Sequence, residues 1–151
     1  MRLDEIDNKI LNVLQKDSSL SQRELADQVG LSQNACWRRI KLMKDAGIIL
    51  GESVRLDPER LGLGLTVFVM LKTRQHSNAW LGDFRRRVLA IAQVVDFFRI
   101  AGEYDYMLKV VAEDMNDFDR VYQRLIKEDG LESVTSLITM EAIANNRALP
   151  L

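Results

Sequence analysis

Residues Ser21 to Gly47, SQRELADQVGLSQNACWRRIKLMKDAG, restrict this chain more than any other stretch. Ser21 followed by Glu24 is a capping box and predicts the start of a helix. Leu25, Ala26 and Val29 give that helix one apolar face. Gly30-Leu31 interrupts it. Ser32 caps a second helix, and Gly47 closes that one in the left-handed conformation that glycine tolerates. The second helix carries Arg38, Arg39, Lys41 and Lys44 with no acid before Asp45. Two short helices, a tight turn and a basic second helix make the shape that enters a DNA major groove.

The rest of the chain must support that motif. Asp4 to Leu14 reads as a preceding helix with Ile6, Ile10, Val13 and Leu14 inward. In the basic helix Cys36, Ile40 and Met43 are spaced to meet the other two, while Gln33, Asn34, Trp37, Arg38, Lys41 and Lys44 point outward. Three such helices bury only a small core and depend on further chain or a partner. Ile48-Ile49-Leu50 and Val54-Arg55-Leu56, flanking Gly51, predict a short strand or wing. A turn at Asp57-Pro58 and the pair Gly62 and Gly64 mark a boundary. The expected division is 1–50 for the DNA-binding domain, 51–64 for wing strand and linker, 65–143 for a second domain and 144–151 for a tail.

From Leu65 the period changes to two. Leu65, Val67, Val69 and Leu71 alternate as a strand. Ser77 to Ala92 is a helix with Trp80, Leu81, Phe84, Val88 and Ile91 inward. Val94 to Ile100 and the alternating run from Tyr106 to Ala112 are strands. Asp114 to Glu128 is a helix facing inward through Phe118, Val121, Tyr122 and Leu125, and Val134 to Ile143 is a last strand. The fold class is therefore α+β: a winged helix-turn-helix domain, then a ferredoxin-like βαββαβ domain. Both helices of that arrangement lie on one face of the sheet. Apolar residues on both sides of its strands predict a dimer that packs sheet on sheet.

Composition narrows the class further. The 151 residues are 47% hydrophobic and 28% charged, as in globular proteins. The net charge of -1 argues against a protein coated in nucleic acid but permits a basic patch. No signal peptide is seen and no run approaches about 18 apolar residues, so no membrane partner is expected. Cys36 is the single cysteine, which fits a cytoplasmic setting without disulfides.

Several stretches together resemble the Lrp/AsnC, or feast/famine, family of bacterial transcription regulators. They are Leu3-Asp4-Glu5-Ile6-Asp7, Ser21 to Ala26, Leu31-Ser32, Arg38-Arg39-Ile40, Gly47-Ile48-Ile49, Leu61-Gly62 and Ala101 to Tyr106. The likeness spans nearly the whole chain. It implies a DNA-binding N-terminal domain, a C-terminal (RAM) domain that binds small effectors, usually amino acids, and homodimers assembling to octamers. Within the family, LGLGLT ending in Leu63 to Thr66, His76-Ser77, Ala101 to Tyr106 and Leu149-Pro150 are similar to a branch that responds to cysteine. One departure is Leu42-Met43-Lys44, where many relatives carry Leu-Glu after the basic run.

Two sites follow. For double-stranded DNA, Ser32, Gln33 and Asn34 open the recognition helix, where amides can pair with adenine and Arg38 or Arg39 with guanine. Lys41 and Lys44 are placed for phosphates. Trp37 either touches DNA or packs beside the wing, with packing favoured, and Cys36 is core. Two such helices in a dimer suit a pseudo-palindromic operator, as in a nucleoid-associated regulator. For the effector, Ala101, Gly102, Glu103, Tyr104 and Asp105 form the loop that matches the family's motif. Gly102 admits close backbone approach, Asp105 can take an ammonium, and Tyr104 can wall the pocket. Without the resemblance this loop reads as a plain hairpin turn. Thr135 and Ser136, with Thr139, lie where a neighbouring subunit can complete the pocket. His76 and Arg85-Arg86-Arg87 read as solvated. No metal, cofactor or catalytic residue is expected, since one His and one Cys in different domains supply no nucleophile with an orienting base. The alternatives are an effector-independent DNA-architectural protein and, further off, a small ferredoxin-like enzyme using Glu103 and Asp105.

Overall fold

Capping chemistry sets where each helix begins. The structure is a computed structural model and describes residues 1–127 and 130–151. Two compact units emerge, one of Met1–Arg55 with Ile143–Leu151 and one of Leu56–Ala142. The tail thus groups with the helices of residues 1–55 rather than standing apart.

In the first unit, α1 spans Glu5–Leu14, α2 Gln22–Val29 and α3 Gln33–Asp45. Asp4 and Asp7 form a reciprocal capping box on α1, as Ser21 and Glu24 do on α2. Both α2 and α3 stop in the paired hydrogen bonds of a Schellman motif. In α2 the Leu31 N–H donates to the Ala26 carbonyl at 2.9 Å, with Gly30 at φ +74°. In α3 the Ile48 N–H donates to the Met43 carbonyl at 2.9 Å, with Gly47 at φ +70°. The core is Ile10, Leu11, Leu25, Ala26, Val29, Cys36 and Met43.

Two expectations change here, and one feature is added. Ile6 does not face the core: it is 36% exposed, and Leu11 is buried instead. Asp7 is buried as well, which an apolar count cannot foresee. No strand forms between Ile48 and Leu56, so the predicted wing strand is absent. A strand needs a ladder partner, and none of the described residues pairs with this stretch. Leu50 and Val54 are left exposed while Ile49 packs on the helical core.

The second unit runs β1 Leu65–Thr73, α4 Asn78–Leu89, β2 Val94–Arg99, β3 Tyr106–Ala112, α5 Met115–Ile126 and β4 Leu131–Ile138. Ser77 and Asp114 are the N-caps of α4 and α5. The predicted end of α5 at Glu128 lies outside the described residues. The last strand starts earlier and stops earlier than Val134 to Ile143. Beyond Ile138 the Thr139 N–H and Oγ1 both donate to the Thr66 carbonyl, at 3.0 and 2.9 Å. The sheet order is β2-β3-β1-β4 with every neighbouring pair antiparallel. This is the ferredoxin-like sheet.

Alternation in the two central strands sorts side chains by face. Val67, Val69, Leu71, Tyr106, Leu108, Val110 and Ala112 are buried beneath α4 and α5, which contribute Phe84, Val88, Phe118, Val121 and Leu125. Phe84 anchors this core, stacked on Trp80 at 5.0 Å and edge-on to Phe97 at 6.0 Å. The other face carries the register neighbours Phe68, Met70, Met107 and Leu137, with Phe98 beside Met107. Phe98 is 50% and Leu137 53% exposed, so this face is apolar and open.

Candidate nucleic-acid interface and effector loop

The recognition helix α3 divides its residues by period. Cys36 and Met43 are fully buried and Ile40 packs against them. Burial pushes the Cys36 thiol pKa up, which keeps it protonated and inert. Gln33, Asn34, Trp37, Arg38, Lys41 and Lys44 are all exposed, on the face that sequence spacing assigned them, and Ser32 at the helix start is exposed too. Ser32 accepts the Ala35 N–H at 3.3 Å, so its hydroxyl serves as the helix cap.

Arg39 differs from its neighbours. Its Nη1 donates to Asp4 Oδ2 and to Asp7 Oδ1, both at 2.8 Å. The same two carboxylates form the α1 capping box, with the Asp7 N–H on Asp4 Oδ1 at 2.8 Å and the Asp4 N–H on Asp7 Oδ2 at 3.1 Å. One guanidinium therefore closes a four-bond ring that ties α3 to the start of α1. The Asp7 backbone N–H and then Arg39 hold the Asp4 carboxyl below its ordinary value, and Asp4 and Asp7 raise Arg39. The expectation that Arg39 reads a base gives way: its side chain is turned to the fold, which leaves Arg38 as the outward arginine. Sequence reasoning missed Asp4 and Asp7 as its partners, although Asp-x-x-Asp before a helix was itself a cap signal.

The remaining cations are poised differently. Lys44 Nζ pairs with Glu52 Oε1 at 2.9 Å. Lys41 Nζ sits 5.3 Å from the centre of the Trp37 ring, a cation–π distance. Trp37 is 49% exposed, so it is not the packed anchor favoured from sequence, and it stands among the outward polar residues. Arg38 makes no ion pair with another described residue.

The candidate effector loop joins β2 to β3. Gly102 takes φ +134°, a conformation that side chains other than glycine's rarely adopt. Ala101, Gly102 and Glu103 are exposed, while Tyr104 and Asp105 are half-buried. The Ile100 N–H donates to the Asp105 carbonyl and the Asp105 N–H to the Leu71 carbonyl, each at 2.9 Å. The Asp105 carboxylate reaches across to the end of β1. Its Oδ2 accepts from the Thr73 N–H at 2.7 Å and the Thr73 Oγ1 at 2.9 Å. The Thr73 backbone bond is the main reason the Asp105 carboxyl sits below its ordinary value, with the Thr73 hydroxyl and then His76 and Lys72 adding to it. Thr73 was not singled out from sequence, since it reads as one more β-branched strand residue.

Thr135 and Ser136 separate. Thr135 pairs with Met70 on the open face, where the Tyr104 hydroxyl donates to its Oγ1 at 3.5 Å. Ser136 pairs with Val69 on the helix-covered face, where its Oγ is buried without a partner among the described residues. Neighbouring strand residues point to opposite faces, so the two cannot line one pocket from the same side. Arg85, Arg86 and Arg87 are exposed, as expected, with Arg86 on Asp83 at 2.9 Å. No cluster of three metal-ligating side chains occurs among the described residues, and no described helix is long and apolar enough to cross a membrane.

Comparison with known proteins places both halves. Residues 3–49 match the winged helix-turn-helix DNA-binding domain, and residues 66–149 the ligand-binding domain of Lrp/AsnC proteins. The DNA-binding transcriptional activator DecR of Escherichia coli is 45% identical over 150 residues, covering 99% of each chain. The glutamate uptake regulatory protein of Zymomonas mobilis is 40% identical, covering 99% of this chain and 92% of its own. Among solved structures, an AsnC family regulator from Agrobacterium tumefaciens superposes with a TM-score of 0.93 at 40% identity, over 98% of this chain and 97% of that one. A Neisseria meningitidis regulator in complex with L-methionine gives a TM-score of 0.93 at 35% identity, over 99% and 97%. These relatives are transcriptional regulators, not enzymes. A basic helix presented by a capped helix-turn-helix, joined to a ligand-binding ferredoxin-like unit, makes this chain a DNA-binding transcriptional regulator of the Lrp/AsnC family.

Proposed function

We propose that the effector is a small sulfur-containing amino acid, with L-cysteine first and L-methionine second. The observation that carries the site is the Ala101–Asp105 loop. It combines an exposed glycine at φ +134° with a carboxylate held ionised by Thr73. The loop's free N–H groups suit a ligand carboxylate, and Asp105 offers negative charge to its ammonium. The Neisseria relative's L-methionine complex supports the amino-acid class. Resemblance to the cysteine-responsive branch supports cysteine. Neither of two surface concavities, one beside Ile91 and Leu125 and one along α1, is bordered by the loop. We infer that another subunit completes the pocket at the loop.

On this reading the open sheet face of Phe68, Met70, Met107 and Leu137 pairs two chains into a dimer, and dimers assemble further toward an octamer. Ser32, Gln33, Asn34, Trp37 and Arg38 meet the base edges of a pseudo-palindromic operator in nucleoid DNA, and Lys41 and Lys44 meet phosphates. Effector binding between subunits shifts the assembly and through it operator affinity, toward control of amino-acid metabolism genes.

A thermal-shift screen of the twenty amino acids tests the site, repeated on Asp105→Asn. Asparagine keeps an acceptor for Thr73 and removes the charge, so the fold survives. The expected result is stabilisation by L-cysteine or L-methionine that Asp105→Asn abolishes. Equal stabilisation of both proteins overturns the site, and no response to any amino acid favours the effector-independent architectural reading.

A further inference from the structure

Leu149-Pro150 lies in neither the DNA-contacting helix nor the Ala101–Asp105 loop, and Ile143–Leu151 groups with the DNA-binding unit. The attachment is directional. The Leu149 N–H donates to Gln15 Oε1 at 2.6 Å, and Gln15 Nε2 donates back to the Leu149 carbonyl at 3.3 Å. One side-chain amide thereby supplies the donor and acceptor that a paired strand residue would supply. Three residues earlier, on the same face of the helix, Asn12 Nδ2 donates to the Leu151 carbonyl at 3.3 Å. Pro150, between the two contacts, has no N–H to leave unpaired. Leu151 borders a concavity of about 710 Å³ with Ile6, Val13 and Val29 on its wall. The exposed Ile6 thus stands on the wall of a groove that Leu151 also borders.

We propose that the segment Leu149–Leu151 is a clip that docks on α1 and gives the DNA-binding unit a second anchor to the sensing domain. The chain passes between the two units twice, after Arg55 and after Ala142. The second crossing restrains the unit only if its far end is held. Thr139 is pinned to Thr66 on one side, and Gln15 pins Leu149 on the other. A chain of ten residues spans at most about 35 Å, so the clip turns a loose tail into a finite tether. Fewer orientations of the DNA-binding unit then remain to be lost when two recognition helices engage two half-sites. This consequence for the operator rests on the dimeric reading above; the clip itself does not.

Two measurements on the full chain test it, with an operator obtained by in vitro selection. Hydrogen exchange should show a protected Leu149 amide, exposed in Gln15→Ala and partly restored in Gln15→Glu, which keeps the acceptor. Gln15→Ala and deletion of residues 149–151 should each raise operator Kd about fivefold, and together no further. Both should also bind operators with two extra base pairs between half-sites nearly as well as the native spacing. A helix that merely unfolds would weaken every spacing equally. An unprotected Leu149 amide in the wild-type chain overturns the clip, as does a Gln15→Ala variant with unchanged spacing preference. Sedimentation as a monomer would sink the dimeric reading while the amide still reports on the clip.

Discussion

Asp7→Ala should cost the DNA-binding unit about 2–3 kcal/mol of stability. The Asp7 side chain is 4% exposed, and both its oxygens are used, one by Arg39 at 2.8 Å and one by the Asp4 N–H at 3.1 Å. A hydrogen bond to a charged group contributes about 1.5–3 kcal/mol, and half of a capping box about 0.5–1. Stranding a buried charge outright would cost about 3–5 kcal/mol, but Arg39 keeps Asp4 as a second partner and is itself partly solvated. The sum stays near the lower figure. A unit with so small a core has only a few kcal/mol to lose, so the variant should be close to unfolded at 37 °C. The assay is hydrogen exchange read by peptide against denaturant, with α1 and α3 as reporters and β1 and β3 as internal control. Asp7→Asn should fall about halfway. A change in α1 and α3 below about 0.5 kcal/mol would refute the argument, as would an equal loss in β1 and β3, since surface changes commonly stay within that figure.

Further outcomes follow from the same geometry. Arg38→Ala should relax base preference at one operator position, whereas Lys41→Ala should flatten the salt dependence of binding by about one unit of slope; the reverse pattern contradicts the assignment. Arg39→Ala should weaken binding with the slope unchanged, because it stands on Asp4 and Asp7. Gly130→Ala should destabilise the second unit by about 1–3 kcal/mol by thermal melting, since an added Cβ would lie 2.8 Å from the Trp80 ring at φ +104°. Phe84→Ala should cost about 3–5 kcal/mol in the same melt and leave exchange in α1 unchanged. Both units should lose stability in acid. Asp4 and Asp105 both have folded pKa values below the unfolded 3.8, so their contribution is present above that value and drains away as pH falls through the lower folded ones. A pH titration of urea midpoints checks this, with constant midpoints from pH 5 to 2 as the contrary result.

Helix starts were legible because their chemistry is local. Ser21 with Glu24, Ser32 and Ser77 each act within three residues of themselves. The strands Leu65–Thr73 and Tyr106–Ala112 were legible because each buries one face. What sequence could not supply is pairing at a distance. Arg39 and Asp7 are 32 residues apart, and nothing in either marks the other as partner. The register of β4 fixes that Thr135 and Ser136 look opposite ways, and its ends follow from its match to β1 rather than from its own pattern. The apolar run after Gly47 resembled a strand, yet a strand exists only where a neighbour bonds it. For the loop from Ala101 to Asp105, the likeness to a family singled out the stretch as a candidate, while the anchoring of Asp105 on Thr73 emerged only from the fold.

The parity of β1 has a consequence for how such regulators diversify. Odd positions Val67, Val69 and Leu71 are sealed under the helices, whereas even positions Phe68 and Met70 stand on the uncovered side. Adjacent codons therefore answer to different demands. Changes at odd positions are filtered by whether one chain folds at all, and changes at even positions by what the folded chain presents to its neighbours. On the dimeric reading proposed above, a lineage can alter its choice of partner through Phe68 or Met70 while the buried scaffold under the helices stays fixed.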